Sequence, residues 1–129
     1  MGQRYLIDTN VVIGILNGMI NLRQAEKLSD IIEDEFIVST IVNIETIGYH
    51  AISEEDKIKT TRLLSKAKTL YTDKRIQDKA IEIRQTKKMK LGDSIIAATA
   101  LVHSLTIVTR NETDFWGLGL TIYNPFDKN

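Results

Sequence analysis

The stretch RYLIDTNVVIGIL, residues 4–16, begins with an apolar strand pattern, ends that pattern on a carboxylate, and then becomes apolar again. Arg4 to Asp8 is short and rich in β-forming residues, which predicts a strand. Asn10 can cap a short helix that runs to about Leu16, and Gly18 can end it. A strand joined directly to a helix is typical of chains in which the two alternate.

The same alternation continues along the chain. Four more strands are predicted, at Phe36–Ser39, Thr69–Thr72, Leu105–Thr109 and Leu120–Tyr123. Five more helices are predicted, at 22–35, 41–52 with Ser39 or Thr40 as the cap, 54–67, 74–88 with Asp73 as the cap, and 93–104. No β-hairpin dipeptide separates consecutive strands, so we expect parallel strands with helices on both faces of the sheet.

Length and composition limit the classes of protein that this chain can belong to. Its 129 residues are about the modal size of one domain, so we expect a single domain over residues 1–129. Hydrophobic residues make up 43% and charged residues 26%, and no apolar run approaches a membrane span, which indicates a cytoplasmic protein. The absence of cysteine excludes disulfides and thiolate metal sites and leaves oxygen-ligated metals open. With 17 acids against 17 Lys and Arg, a nucleic-acid surface would have to be a local patch.

Four acids are placed where the predicted fold collects functional residues, beyond the carboxyl ends of parallel strands. Asp8 follows the first strand, Asp93 begins the alanine-rich helix in LGDSIIAATA, and Asp114 follows the fourth strand in IVTRNETDFWGLG. Glu45 lies a turn or two into the helix after the second strand, among isoleucines. Each acid alone has an ordinary explanation: a helix cap for Asp8, a helix-dipole partner for Asp93, a loop residue for Asp114 and a solvent-facing residue for Glu45.

Convergence of these acids at one sheet edge would require a counter-charge. Two carboxylates about 4 Å apart repel by about 4 kcal/mol at an effective dielectric near 20. A Mg²⁺ or Mn²⁺ ion relieves that repulsion because both prefer oxygen ligands. Such sites catalyse phosphoryl transfer on phosphodiesters, and the absence of a Walker-type glycine loop disfavours a nucleotide-hydrolysing enzyme.

Four segments together resemble the PIN-domain ribonucleases of the VapC toxin type: LIDTNVVIGIL, STIVNIETIGY, KLGDSIIAATALVHSLTIVTRNETDF and LTIYNPF. They cover nearly the whole chain in the family's order. The resemblance implies a three-layer α/β/α fold with a central parallel five-stranded sheet. It also implies a divalent-metal-dependent endoribonuclease that uses Mg²⁺ or Mn²⁺. Its partners would be RNA, a small antitoxin protein of a type II pair and a second copy of the chain in a homodimer.

The resemblance also assigns the site by position in this sequence. The family's acidic positions, which bind metal and carry the catalysis, fall on Asp8, Glu45, Asp93 and Asp114. Its supporting polar positions fall on Thr9, Asn10, Thr109 and Asn111. Thr46 departs from the pattern, since leucine is common after the second acid.

A basic run before Asp93 and one arginine near the predicted site are candidate RNA contacts. These are Lys87, Lys88, Lys90 and Arg110, which could bind phosphates. The ordinary explanation for the lysines is a solvated helix end.

Two other functions stay open at the level of sequence. One is a catalytically silent PIN-like RNA-binding or scaffold module. The other is a phosphoacceptor signalling domain, which needs an acceptor Asp after the third strand, where Asp73 instead begins a helix, and a Lys directly after the fifth strand, which the sequence lacks.

Overall fold

Strands and helices alternate through residues 2–23 and 25–126, the parts of the chain that this computed structural model describes. The elements are β1 Tyr5–Ile7, α1 Thr9–Leu16, α2 Glu26–Asp34, β2 Ile37–Ser39, α3 Thr40–Ile47, α4 Glu54–Leu64, β3 Lys68–Leu70, α5 Lys74–Thr86, α6 Leu91–His103, β4 Thr106–Val108, a short 3-10 helix Glu112–Phe115, and β5 Ile122–Tyr123. The predicted alternation is confirmed. The longest helices have 13 residues, and none in the described ranges is long and apolar enough to cross a membrane.

The start of α1 decides between the two helix caps that the sequence allows and corrects the prediction of Asn10. The N-cap is Asp8 rather than Asn10, because the Asp8 carboxylate accepts a hydrogen bond from the Thr9 backbone N–H and α1 begins at Thr9. Of the two caps predicted for α3, Ser39 is correct and Thr40 is the first helical residue, and the prediction of Asp73 is correct for α5. The side chains of Ser39 and Asp73 accept from the N–H groups of Ile41 and Ile76.

Several helix ends also differ from the predictions, for local reasons. The predicted helix at 22–35 begins at Glu26, because the Asn21 side chain accepts from the Arg23 N–H and forms a turn there; Gln24 lies outside the described residues. The predicted helix at 54–67 ends at Leu64, where the Ser65 hydroxyl bonds the Arg62 carbonyl.

The ends of α3, α5 and α6 matter for the site. The predicted helix at 41–52 ends at Ile47, with Gly48 as its C-cap. The helix at 74–88 ends at Thr86, and the helix predicted from residue 93 begins at Leu91. Asp93 is therefore the third residue of α6, and residues 87–90 form the connection between α5 and α6.

The strands pair in parallel, in two hydrogen-bonded groups. The first group has the order β1-β4-β5, with Leu6 opposite Ile107, and the second is β2-β3, with Val38 opposite Thr69. A single five-stranded ladder is therefore not confirmed for the described residues. The strands have only two or three residues each, and β1 and β2 are in contact without forming a ladder.

Side chains that alternate along the strands divide the core into two clusters. Leu6, Ile37 and Ile107 pack with buried residues of α5 and α6. Ile7, Val38 and Val108 pack on the other side, with buried residues of α1, α2, α3 and α4. Both groups of strands contribute to each cluster, so the strands lie between two helical layers, as predicted.

Burial of α6 against the strands predicts a large cost for truncating its core side chain. Ile96→Ala should lower the free energy of unfolding by about 2–5 kcal/mol, because Ile96 is fully buried and its removal leaves a cavity. Urea denaturation measures this change. Ile81→Ala on α5 is the matched control, since Ile81 is 51% exposed and should cost less than about 1 kcal/mol. Equal costs at both positions would contradict the described core.

Candidate active site

The carboxyl ends of β1 and β4 meet side by side and place two buried polar side chains together. The Asp8 N–H donates to the Val108 carbonyl at 2.9 Å, and the Thr109 N–H donates to the Tyr123 carbonyl at 3.0 Å. These bonds continue the parallel pairing one residue past each strand. Asp8 and Thr109 therefore lie at the same sheet edge, with 4% and 0% of their surfaces exposed.

Three donors fix the orientation of the Asp8 carboxylate. Its Oδ1 accepts from the Thr9 N–H at 2.8 Å. Its Oδ2 accepts from the Thr109 hydroxyl at 2.8 Å and from Asn10 Nδ2 at 3.2 Å. Burial raises the pKa of Asp8, and the negative charge of Glu45 adds to this rise, while the three hydrogen bonds oppose it.

A second set of bonds ties the DTN segment after β1 to the TRN segment after β4. Thr109 Oγ1 accepts from Asn10 Nδ2 at 3.3 Å and from the Asn111 N–H at 3.1 Å. Asn10 Oδ1 accepts from the Arg110 N–H at 3.0 Å. Of the four predicted supporting residues, Asn10 and Thr109 use their side chains in these networks, and Thr9 and Asn111 use their backbone N–H groups.

Glu45 reaches the same edge from α3. The Thr9 hydroxyl donates to Glu45 Oε1 at 2.6 Å. On its other side, a Cβ placed at Gly92 would lie 3.3 Å from Glu45 Oε2, so the glycine in LGD leaves room for the carboxylate. Glu45 thus lies between the residue after Asp8 and the residue before Asp93. Thr46 is buried and bonds the Val42 carbonyl, which accommodates the departure from the expected leucine.

Asp93 completes the electrostatic link between the acids. Burial is the main cause that raises its pKa, the charges of Asp8, Asp114 and Glu45 add to the rise, and Lys90 opposes it, so that the pKa of Asp93 reaches about 6. The other three predicted acids therefore each lie within electrostatic reach of Asp93. We call the four acids the acidic cluster.

Asp114 is exposed and lies on the 3-10 helix Glu112–Phe115. An anchor of this segment was not found by sequence reasoning: Lys87 Nζ donates to the Trp116 carbonyl at 2.7 Å and to the Thr113 carbonyl at 3.3 Å. Backbone carbonyls carry no sequence signal, and Lys87 lies 26 residues before Thr113. No motif could have revealed this contact.

The basic run borders the acidic cluster. A cavity of about 400 Å³ lies between the connection to α6 and the 3-10 helix, lined by Lys87, Lys88, Met89, Lys90, Asp93, Thr113 and Asp114. Arg110 is placed differently, with its guanidinium 4.7 Å from the centre of the Phe126 ring.

Within residues 2–23 and 25–126, no group of three or more Asp, Glu or His side chains is arranged to hold a metal ion by itself. A cation that binds through one or two carboxylates and keeps part of its water shell needs no such group, and Mg²⁺ commonly binds in this way.

Comparison with known proteins gives a family match and several structural matches. The sequence model described as the PIN domain matches residues 5–115, whereas no curated protein matches in sequence. A chain of a toxin-antitoxin complex from Klebsiella pneumoniae is 30% identical, with a TM-score of 0.75, 94% of this chain covered and 97% of that chain. FitAcB from Neisseria gonorrhoeae is 26% identical, with a TM-score of 0.78 and coverage of 95% and 98%. VapBC2 from Rickettsia felis, solved with a promoter DNA fragment, shares the fold at 20% identity, with a TM-score of 0.80 and coverage of 95% and 98%.

The raised pKa of Asp93 predicts a pH-dependent stability in the absence of metal. Its folded pKa of about 6 exceeds the ordinary 3.8, so the folded state binds more protons and this group's contribution to stability falls as pH rises from about 4 to 6. Asp93→Asn removes the charge and should raise the free energy of unfolding at pH 7.5 by about 1 kcal/mol, since solvent screening of a half-buried group reduces the full linkage value of about 3 kcal/mol.

Urea denaturation in chelator at pH 4 and pH 7.5 measures the effect, and the gain should vanish at pH 4. Asp30→Asn, on the exposed side of α2, is the control and should show no gain at either pH. A gain of equal size at both pH values would show that the acidic cluster does not act on Asp93.

Proposed function

The chain belongs to the PIN domain family, and we propose that it is a divalent-metal-dependent endoribonuclease, the toxin of a type II toxin–antitoxin pair. The match confirms the resemblance seen in the motifs. The observation that carries the proposal is the acidic cluster, in which Asp8, Glu45 and Asp114 all act on the pKa of Asp93. Four like charges at one sheet edge repel one another and do not stabilise the fold, so their placement indicates a function.

A Mg²⁺ or Mn²⁺ ion fits the donor set of the acidic cluster. All four side chains offer hard oxygen ligands, and their shared negative charge raises the affinity for a divalent cation. Asp8 and Asp93 would hold it, with Glu45 and Asp114 beside them. When bound, the ion would neutralise the phosphodiester and stabilise the leaving oxygen.

The protein's own side chains hold the acids in position for this chemistry. Thr109, Asn10 and the Thr9 N–H fix the two oxygens of Asp8, so its carboxylate need not reorganise when a substrate arrives. The Thr9 hydroxyl holds Glu45 at 2.6 Å, and Asp93 stands on the first turn of α6. Asp114 is exposed, where an RNA chain can reach it.

Local positive charge would bind the RNA, because the chain as a whole is neutral. Lys88 and Lys90 line the cavity next to Asp93 and Asp114, so a phosphate beside the scissile one would meet them first. Arg110 follows Thr109 and is a further candidate phosphate contact. The cytoplasm, where RNA is available, is the proposed location.

An apolar groove supports the antitoxin as a partner. A cavity of about 350 Å³ between α1, α3 and α4 is lined by Ile13, Leu16, Tyr49 and Ile52 and has Glu45 among its lining residues. An antitoxin segment with apolar side chains would fill the groove, and a cationic side chain on that segment would neutralise Glu45. The match from Klebsiella pneumoniae is a toxin-antitoxin complex, and the match from Rickettsia felis is VapBC2. A homodimer also stays a prediction, and exposed Ile44 and Leu91 offer apolar contact surface for it.

One observation favours a second candidate, a catalytically silent PIN-like RNA-binding or scaffold module. The described side chains form no ready-made group of three metal ligands. In that case the acids would shape an RNA-binding surface without cleaving the chain.

Cleavage of RNA by the purified, partner-free protein separates the two candidates. Wild type should cut a mixed RNA pool with Mg²⁺ or Mn²⁺ and not in chelator. Asp8→Asn and Asp93→Asn should each lose at least about 100-fold in rate, since a lost ligand removes several kcal/mol of transition-state stabilisation.

Asp30→Asn is the matched control, because it makes the same chemical change on an exposed surface of α2 and should cut like wild type. Cleavage that survives in Asp8→Asn and Asp93→Asn would trace the activity to another site or to a contaminant. RNA binding without cleavage under every metal condition would favour the silent module.

A further inference from the structure

We infer that Lys87 is a positioning residue for Asp114: its ammonium group ties the loop that carries Asp114 to the connection that leads into Asp93. The inference rests on the proposed function and assigns Lys87 a role other than RNA contact. We call this pair of hydrogen bonds the Lys87 latch.

Lys87 contacts the chain on both sides of Asp114. Nζ donates to the carbonyls of Thr113 and Trp116, one residue before and two residues after the acid. The Trp116 carbonyl lies just past the end of the 3-10 helix, where backbone carbonyls lack helical partners. A bond from an ammonium to such a carbonyl is charge-assisted and stronger than a neutral one.

Asp114 depends on its neighbours for its position. Among the hydrogen bonds of residues 2–23 and 25–126, none involves the Asp114 carboxylate; only its backbone N–H bonds, to the Asn111 carbonyl at 3.2 Å. On the N-terminal side, Asn124 Nδ2 donates to Glu112 Oε2 at 3.1 Å. Phe115 is 1% exposed and anchors the middle of the segment in the core. The Lys87 latch is the anchor on the C-terminal side.

The latch also joins two members of the acidic cluster. Lys87 is the C-cap residue of α5 and the first residue of the connection that ends at Lys90, the N-cap of α6. Asp93 follows within the first turn. The latch therefore holds the Asp114 loop against the chain segment that positions Asp93, across the cavity that both acids line. Two of the three ammonium hydrogens already have partners, which leaves Lys88 and Lys90 better placed to bind phosphate.

Fluorescence of Trp116 tests the latch without reference to nuclease activity. Trp116 is the single tryptophan of the chain and accepts a latch bond through its own carbonyl. Lys87→Met keeps the apolar stem and removes the ammonium, so it should lower the residual anisotropy of Trp116 through faster local motion. Lys87→Arg can still donate to both carbonyls and should restore most of it. Lys88→Met makes the same charge change on the neighbouring residue and should leave the residual anisotropy of Trp116 at its wild-type value.

Steady-state cleavage kinetics on the same variants test the consequence for the reaction. Lys87→Met should lower kcat by about 10-fold or more with KM within about twofold, because a displaced acid harms the reaction and not RNA binding. Lys88→Met should instead raise KM. Circular dichroism should show both variants folded.

The outcomes separate the latch from the proposed function. Unchanged Trp116 anisotropy in Lys87→Met would overturn the latch. A change in KM alone would overturn the positioning role and make Lys87 an RNA contact. If wild type cuts no RNA, the nuclease proposal fails, and the anisotropy of Lys87→Met against Lys88→Met still decides whether the latch exists.

Discussion

Burial of the Asp8 carboxylate is the constraint on which the rest of the site depends. A carboxylate that is 4% exposed has lost most of its hydration, and such a group stays in a folded protein only with hydrogen-bond partners. Thr9, Asn10 and Thr109 supply them. Their placement requires that β1 and β4 pair in parallel and end at the same level. The register of the sheet therefore determines whether the buried carboxylate has its hydrogen-bond partners.

The other acids lower the stability of the protein through charge repulsion that the fold does not remove. Glu45 lies on α3 and Asp93 on α6, and the absence of a side chain at Gly92 leaves room for the Glu45 carboxylate next to the start of α6. Burial is the main cause of the raised pKa of both Asp8 and Asp93, and the charges of neighbouring acids add to it. Like charges gathered in this way destabilise the metal-free protein, and such local conflicts with stability are typical of functional sites. A divalent cation would turn the same repulsion into affinity.

Much of this arrangement could be predicted from sequence because its signals are local. Short apolar strands that alternate with capped helices predict the layers, and the rule that strand ends collect functional residues selects Asp8 and Asp114. The sequence patterns do not predict contacts between residues that lie far apart in the chain. The pattern did not decide between Asp8 and Asn10 as the cap of α1. It also did not reveal that the strand ladder divides between β1 and β2, or that α6 begins two residues before Asp93. The Lys87 latch joins a side chain to distant backbone carbonyls, which no residue pattern encodes.

Titration of the Asp93 side chain by carboxyl ¹³C NMR, with and without saturating Mg²⁺, tests most directly whether the four acids form one metal-binding unit. The metal-free protein should show Asp93 with a pKa of about 6, raised by burial and by the neighbouring charges. Mg²⁺ should bring that pKa back to its ordinary value of 3.8 or below, because the cation stabilises the ionised carboxylate. An ordinary pKa without metal, or an elevated pKa that Mg²⁺ leaves unchanged, would contradict the account.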